Sequence, residues 1–246
     1  MNKILNGKVI VITGAGRGIG RAMALTYSNN GATVCCIARH IDELEETVSL
    51  IQGMGGTAMA IACDVTHYQD IEEAFAQVQK SFQSVDIVVI NAGIDCDSAS
   101  VEDLDIHLWE SVINVNLTGA LYTAKAAIPY LKERKGGKII TLGSGIGHKG
   151  RANKAPYACS KAGLWMLTRV LAQELSAFNI SVNELIPGPV DTSMKDSSIN
   201  DKDSIFHMTG EWVKTPEDIE NIALFLATQP LIGPTAQSFS LMRRDL

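Results

Sequence analysis

Short runs dense in valine and isoleucine recur along this chain, each followed by a longer stretch with helical spacing. That alternation constrains the fold more than any other feature of the sequence. The runs are KVIVIT (8–13), TVCCIA (33–38), TAMAIA (57–62), DIVVI (86–90), KIITLG (138–143), ISVNELI (180–186) and AQSFSL (236–241). Most lack the apolar–polar alternation of a strand with one wet face, so they read as strands covered on both sides. Helical patterns lie between them. Residues 42–52 open on Asp42 and an acidic first turn and stop at Gly53; 68–82, 103–133 and 155–178 follow; Thr215-Pro216-Glu217 starts a helix over 216–228. Strands joined through helices of this size imply right-handed crossovers and a parallel sheet. The expectation is an α/β fold: one domain over 1–246 with a doubly wound, parallel, seven-stranded sheet and helices on both faces. No linker or repeat interrupts the series. The least periodic stretch, 193–212, is either a substrate lid or a surface excursion.

Bulk properties narrow the partners. A net charge of −6, with no long Lys/Arg run, argues against nucleic acid. The stretch MNKILNGKVIVITG lacks the apolar run and small-residue cleavage site of a secretory signal, and no apolar run is long enough to cross a bilayer. The five cysteines (Cys35, Cys36, Cys63, Cys96, Cys159) lack metal-ligand spacing and read as reduced, mostly buried thiols. The reading is a cytoplasmic protein with no metal and no membrane partner.

The first strand runs directly into TGAGRGIG (13–20). A glycine-rich turn between first strand and first helix lets backbone amides approach a pyrophosphate. The spacing is TGxxxGxG, with Gly14, Gly18 and Gly20, and not the commoner GxGxxG. The second strand ends Ile37-Ala38-Arg39-His40, without the acid that grips an NAD ribose. Arg39 there suits the 2′-phosphate of NADP, although a solvated surface cation fits the position too. Arg17 stands ready to close the phosphate from the other side, for either cofactor. NADP(H) is expected in preference to NAD(H).

These segments, together with CDV (63–65), NAG (91–93), NVNLTG (114–119), TLGS (141–144), YACSK (157–161) and PGPVDT (187–192), stand in the order and spacing of the short-chain dehydrogenase/reductases. The chain resembles that family over nearly its whole length, in pattern nearest the 3-oxoacyl-carrier-protein reductases. The resemblance implies a Rossmann fold and a cofactor site drawn from Thr13, Gly14, Arg17, Gly18, Ile19 and Gly20, with Arg39 beyond them. Asp64 and Val65 flank the adenine in this scheme, and Asn91, Ala92 and Gly93 lie beside the cofactor ribose. Pro187, Gly188, Val190 and Thr192 meet the nicotinamide. The implied catalytic tetrad is Asn116, Ser144, Tyr157 and Lys161, with Tyr157 and Lys161 also touching the cofactor.

The residue types suit ketone–alcohol interconversion. A free phenol has a pKa near ~10, and a cation one helical turn away favours its ionised form. Ser144 suits hydrogen bonding to a carbonyl oxygen, and Asn116 the seating of a water that relays protons to the lysine. Taken singly, each has a plainer reading: Tyr157 as a core residue, Ser144 as a turn residue, Asn116 at a helix kink.

Some segments depart from the family. Ile90 precedes Asn91-Ala92-Gly93 where a second asparagine is frequent, and Phe178-Asn179-Ile180 replaces a frequent Arg-Gly-Ile. A small carbonyl or alcohol substrate therefore ranks ahead of an acyl-carrier protein, for which the basic run Lys132-Glu133-Arg134-Lys135 would be the dock. A silent NADP(H) sensor is the alternative of another class. His148, Lys149, Arg151 and Asn153 are candidate substrate-facing residues. The tail Met242-Arg243-Arg244-Asp245-Leu246 is expected to reach the cleft or a neighbouring subunit. The resemblance also implies a homotetramer or homodimer built on the helices at 103–133 and 155–178, with Leu164, Met166 and Leu171 suited either to that contact or to the sheet.

Overall fold

The structure, a computed structural model, describes residues 3–95, 99–192 and 212–243. The predicted lid over 193–212 lies outside these except for Trp212, as do Cys96 and the last three residues of the tail. The chain runs β1 (Val9–Thr13), α1 (Gly18–Asn29), β2 (Thr33–Ala38), α2 (Ile41–Gly53), β3 (Thr57–Ala62), α3 (Tyr68–Phe82) and β4 (Ile87–Ile90). It continues with α4 (Ile106–Ile113), a π-helical turn (Asn114–Thr118), α5 (Gly119–Glu133), β5 (Gly137–Leu142), α6 (Gly145–Lys149) and α7 (Ala155–Leu175). After β6 (Ile180–Ile186) come a 3₁₀ turn (Pro216–Ile219), α8 (Glu220–Thr228) and β7 (Ser238–Ser240).

All seven strands pair in parallel, in the order β3-β2-β1-β4-β5-β6-β7. From β1 the chain winds out to β2 and β3, then returns to place β4 on the other side of β1. The strand order therefore reverses beside β1, and loops leaving the carboxyl ends of β1 and β4 diverge around a crevice.

Alternate side chains of each strand feed two apolar layers. Val11, Ile37, Val88, Ile139 and Val182 pack with Phe75, Leu131 and Leu171 on one face. Ile10, Ile12, Val89, Ile140 and Leu185 pack with Met23, Tyr27, Leu44 and Leu226 on the other. Burying each such side chain contributes about 1.5–3 kcal/mol, which drives the helices onto both faces. Leu164 and Leu171 belong to this core, whereas Met166 is 49% exposed. Of the residues suited to either contact, two are thus committed to the sheet side. Cys35, Cys36 and Cys63 are buried and Cys159 is exposed.

Coverage on both faces holds for β1, β2, β4, β5 and β6 and fails at the edges. Only Ile61 of β3 is buried, and no residue of β7 is. The last strand is shorter than 236–241 because Ala236 has φ +59°, outside strand geometry. Asp42 is not the cap of α2; His40 holds that place, and Asp42 and Glu43 lie in the first turn. The helix expected from 103 begins at Ile106, where the Asp105 side chain accepts from the His107 amide at 2.9 Å. Helix α7 gives way at Leu175 to a 3₁₀ turn that ends on Asn179 at φ +58°. At the 216 start, the Thr215 amide donates to the Asp218 carboxylate at 2.8 Å. Among the described residues no helix is long and apolar enough to cross a membrane.

Candidate active site

The glycine loop leaves β1 with Gly14 at φ +69°. Its close packing explains the glycines: a Cβ on Gly20 would fall 2.1 Å from the Gly14 carbonyl oxygen. Arg17 is the N-cap of α1, yet its side chain makes no cap hydrogen bond, so the first amides of the helix have no side-chain partner from it. Arg17 instead faces Glu43 at 3.6 Å. A Cβ on Gly18 would lie 3.3 Å from the Thr192 methyl, which brings the PGPVDT segment over the loop. Ile19 packs into the core layer beneath.

Arg39 is exposed just beyond β2, on the side of Asp64. Burial raises the Asp64 carboxyl, but hydrogen bonds from the Thr66 amide and hydroxyl, with Arg39 and His67 nearby, outweigh it and hold the group low. Val65 packs against Gly119, where an added Cβ would meet its methyl at 2.8 Å.

Asn91 ties β4 to β1. Its amide nitrogen Nδ2 donates to the Thr13 and Gly14 carbonyls at 2.8 and 3.0 Å, while the Asn91 and Ala92 backbone amides donate to the Thr13 hydroxyl. Gly93 then passes close to two other predicted residues: a Cβ there would lie 3.2 Å from Asn116 Oδ1 and 3.7 Å from Lys161 Nζ.

Asn116 occupies the middle of the π-helical turn and is buried. Its Oδ1 accepts from the Ile94 amide at 2.8 Å, and Nδ2 donates to the Ile94 carbonyl at 2.9 Å and to Ser160 Oγ at 3.0 Å. Ser160 Oγ in turn donates to the Tyr157 carbonyl at 2.8 Å. Lys161, one turn on from Tyr157 in α7, is buried, donates to the Leu142 carbonyl at 2.7 Å, and lies 5.7 Å from the Tyr157 ring centre. Burial brings its pKa down to about 8, against the opposing pull of Glu184 and Asp95.

Ser144 caps α6, accepting from the Ile146 amide at 3.3 Å, and its hydroxyl also bonds the Tyr157 phenol. Burial, then the Asp95 charge, pushes that phenol up to about 12, and the Ser144 bond pulls the other way. The lysine is not among the groups that move it, so in this state the phenol is fully protonated at neutral pH. Gly188, at φ +70° between Pro187 and Val190, sits against Met242 and Lys214, so the described part of the tail does reach this segment. Val190 bridges to Lys214 in parallel fashion.

A sequence model of the short chain dehydrogenases matches residues 8–203. The chain belongs to the short-chain dehydrogenase family. It is 33% identical to the 3-oxoacyl-[acyl-carrier-protein] reductase FabG of Chlamydia pneumoniae, over 97% of this chain and 96% of that one. Among solved structures, a short-chain type dehydrogenase/reductase from Mycobacterium marinum superposes with TM-score 0.89 at 31% identity, covering 97% of this chain and 96% of that one. A 3-ketoacyl-(acyl-carrier-protein) reductase from Brucella melitensis, complexed with NADH, gives TM-score 0.89 at 28% identity over 97% and 98% of the two chains.

In this short-chain dehydrogenase the glycine loop fits a nicotinamide dinucleotide: the positions nearest the expected pyrophosphate lack Cβ atoms, and the helix start carries no side-chain cap. Two supporting residues were not anticipated. Arg21 donates from Nε to the Gly16 carbonyl at 2.9 Å and to Thr47 Oγ1 at 3.0 Å, and Thr47 donates to the Ala15 carbonyl at 3.1 Å, so both brace the loop from below. Ser160 was likewise unmarked, although the serine of YACSK sits one residue before the lysine. His148 is held by a buried group: its Nε2 is 3.0 Å from the Glu184 carboxylate. Lys149 and Asn153 are exposed and Arg151 partly so. The basic run 132–135 lies at the opposite end of the sheet, where Arg134 pairs with Asp86 at 3.1 Å just before β4 and Lys132 covers the Phe178 ring.

Proposed function

We propose that this oxidoreductase interconverts a small ketone and the corresponding secondary alcohol, with Tyr157 as the proton donor and acceptor and NADP(H) as the preferred cofactor. The whole chain, 1–246, would act as one cofactor-binding domain in the cytoplasm. The observation that carries the reading is the meeting of Ser144 and Lys161 around the Tyr157 phenol, from the end of β5 and from α7, beside the glycine loop.

A bound nicotinamide supplies or accepts the hydride at the carbinol carbon. Ser144 holds the substrate oxygen and supports the charge that develops on it. Tyr157 gives its proton to that oxygen during reduction, the direction suited to a phenol protonated at neutral pH. Lys161, as an ammonium, steadies the phenolate left behind and binds the cofactor ribose. Asn116 fixes the backbone at Ile94 and, through Ser160, the Tyr157 turn of α7, and it seats the water that returns a proton to Lys161. The NADP preference rests on Arg39 and on the absence of an acid at the end of β2.

A second reading, reduction of a 3-oxoacyl group on a carrier protein, draws on the FabG relatives. The basic run expected to dock such a carrier is at the far end of the sheet from Tyr157, which favours the small substrate. Leu121, Met166 and Val170, each more than two-fifths exposed on α5 and α7, support pairing of these helices in a dimer or tetramer.

Turnover of a panel of ketones and alcohols, followed by nicotinamide absorbance with both cofactors, tests the reading. Tyr157→Phe should lower turnover by roughly 10²–10⁴-fold and leave cofactor affinity nearly unchanged. Activity that survives the substitution excludes Tyr157 as the acid. A wild-type protein that binds cofactor yet turns over nothing in the panel would be the silent sensor.

A further inference from the structure

Glu184 is a carboxylate that the proposed chemistry leaves without a job, and it is fully buried on β6, between β5 and the edge strand β7. It pairs in register with Thr141 of β5 and with Ser238 of β7. Parallel register places it on the face of Thr141, whose hydroxyl meets Thr168 of α7 at 2.8 Å. An ionised side chain in such a place requires partners. It has them: His148 Nε2 lies 3.0 and 3.3 Å from the two carboxylate oxygens, and the Ser238 hydroxyl donates a short hydrogen bond. The His148 ring rests in turn on Trp165 of α7, with centroids 4.8 Å apart.

Two glycines bring this carboxylate to the lysine. A Cβ on Gly143 would overlap Glu184 Oε1, so the carboxylate lies flat against the backbone between Leu142 and Ser144. Leu142 is the residue whose carbonyl receives Lys161 Nζ. A Cβ on Gly147 would fall 2.8 Å from Lys161 Cβ, so α6 presses directly on α7 at the lysine. Among the described residues, the titratable groups around Lys161 come from separate elements. Glu184 reaches it from β6 and Asp95 from the segment after β4; Asp95 is shared with Lys154 at 3.1 Å, and Glu184 with His148. Tyr157 completes the set from α7 itself.

We propose that Glu184 is a positioning residue for Lys161: its buried carboxylate, fixed by His148 and Ser238, is the counter-charge that keeps the lysine an ammonium. Burial disfavours that ammonium and Glu184 is the leading group that favours it, ahead of Asp95. The same contacts tie α6, and with it Ser144, to β6 and β7. The consequence for turnover rests on the role proposed for Lys161, whereas the counter-charge itself is measurable without turnover.

The test is a titration of Lys161 in full-length protein carrying ¹³C-labelled lysine side chains, with its signal assigned by its loss in Lys161→Met. In Glu184→Gln, which keeps the shape and the contact with Ser238, the Lys161 midpoint should fall by about one pH unit. A midpoint equal to that of the wild type overturns the proposal. Should Glu184→Gln fail to fold, the wild type answers by reciprocity. The Glu184 carboxyl carbon must shift as Lys161 loses its proton and stay flat over that range in Lys161→Met. A wild-type carboxyl signal indifferent to the lysine overturns the proposal equally. A moved midpoint in a protein that reduces no ketone would leave the counter-charge standing and remove the proposed function. An unmoved midpoint in an active enzyme would do the reverse.

Discussion

Lys161 Nζ donates to the Leu142 carbonyl at 2.7 Å, so the lysine is held by the backbone at the end of β5 before any substrate arrives. Its pKa of about 8, lowered by burial, sets a limit on the alkaline side. In the role proposed for it the ammonium is the working form, and its fraction falls as pH rises through that value. Ketone reduction should therefore be level below pH 8 and decline above it in a kcat/KM profile. With Tyr157 in its proposed role, alcohol oxidation would draw on the phenolate, and with the phenol pushed up to about 12 it should be slow at neutral pH and faster as pH first rises. A reduction profile that continues level well above pH 8 would separate Lys161 from the chemistry.

Cofactor choice is predicted to turn on Arg39. It stands exposed beyond β2 on the side of Asp64, where the proposed NADP site would bring the 2′-phosphate to it. Arg39→Asp should weaken NADPH binding at least about tenfold more than NADH binding, since a charge-assisted bond to phosphate is lost and a repulsion gained. Fluorescence titration with both cofactors checks this, and equal effects on the two would remove the argument.

Asn116→Leu strips both backbone groups of Ile94 and the Ser160 hydroxyl of their partner at once. Leaving such groups unsatisfied costs about 1–3 kcal/mol, and in a chain of this size melting falls by roughly 2–4 °C for each kcal/mol. Calorimetry should register that loss.

Away from the site, Asp86 joins β1, β4 and α5. Burial raises its carboxyl, but the Val9 amide at 3.0 Å, Ser84 at 2.9 Å, Lys8 and Arg134 outweigh it, and the net pKa is low. A carboxyl depressed in the folded state stabilises above its unfolded pKa and loses that contribution as pH falls through the folded value. Asp86→Asn should therefore melt earlier than the wild type at neutral pH, with the gap closing in acid. A gap that stays constant with pH would mean the charge is immaterial.

The sheet was legible because β-branched runs are local signals: β2, β3 and β6 match the runs at 33–38, 57–62 and 180–186. Helix α3 is marked equally well by its spacing. The glycine loop was legible from its place after β1, and Tyr157 with Lys161 from family spacing. Other features leave no local trace. The π turn at 114–118 has the same residue types an α-helix would use, and only its hydrogen bonds reach one residue further. Helix α6 is five residues with two glycines, a composition that suggests a loop. Glu184 and His148 lie far apart in sequence, and ISVNELI reads simply as a strand; their meeting depends on β6 lying beside β5.

That π turn has an implication for anyone who would tighten the protein. One surplus residue is stored in the run from Ile106 to Glu133, and excising it would restore an even α-helical ladder. The shortened helix would be the smoother object, yet every side chain ahead of the cut would rotate by about 100° against those behind it. Asn116 and the α5 face that packs on the sheet could no longer both keep their orientation. The irregularity is the gearing between a surface that must stay packed and an amide that must point inward.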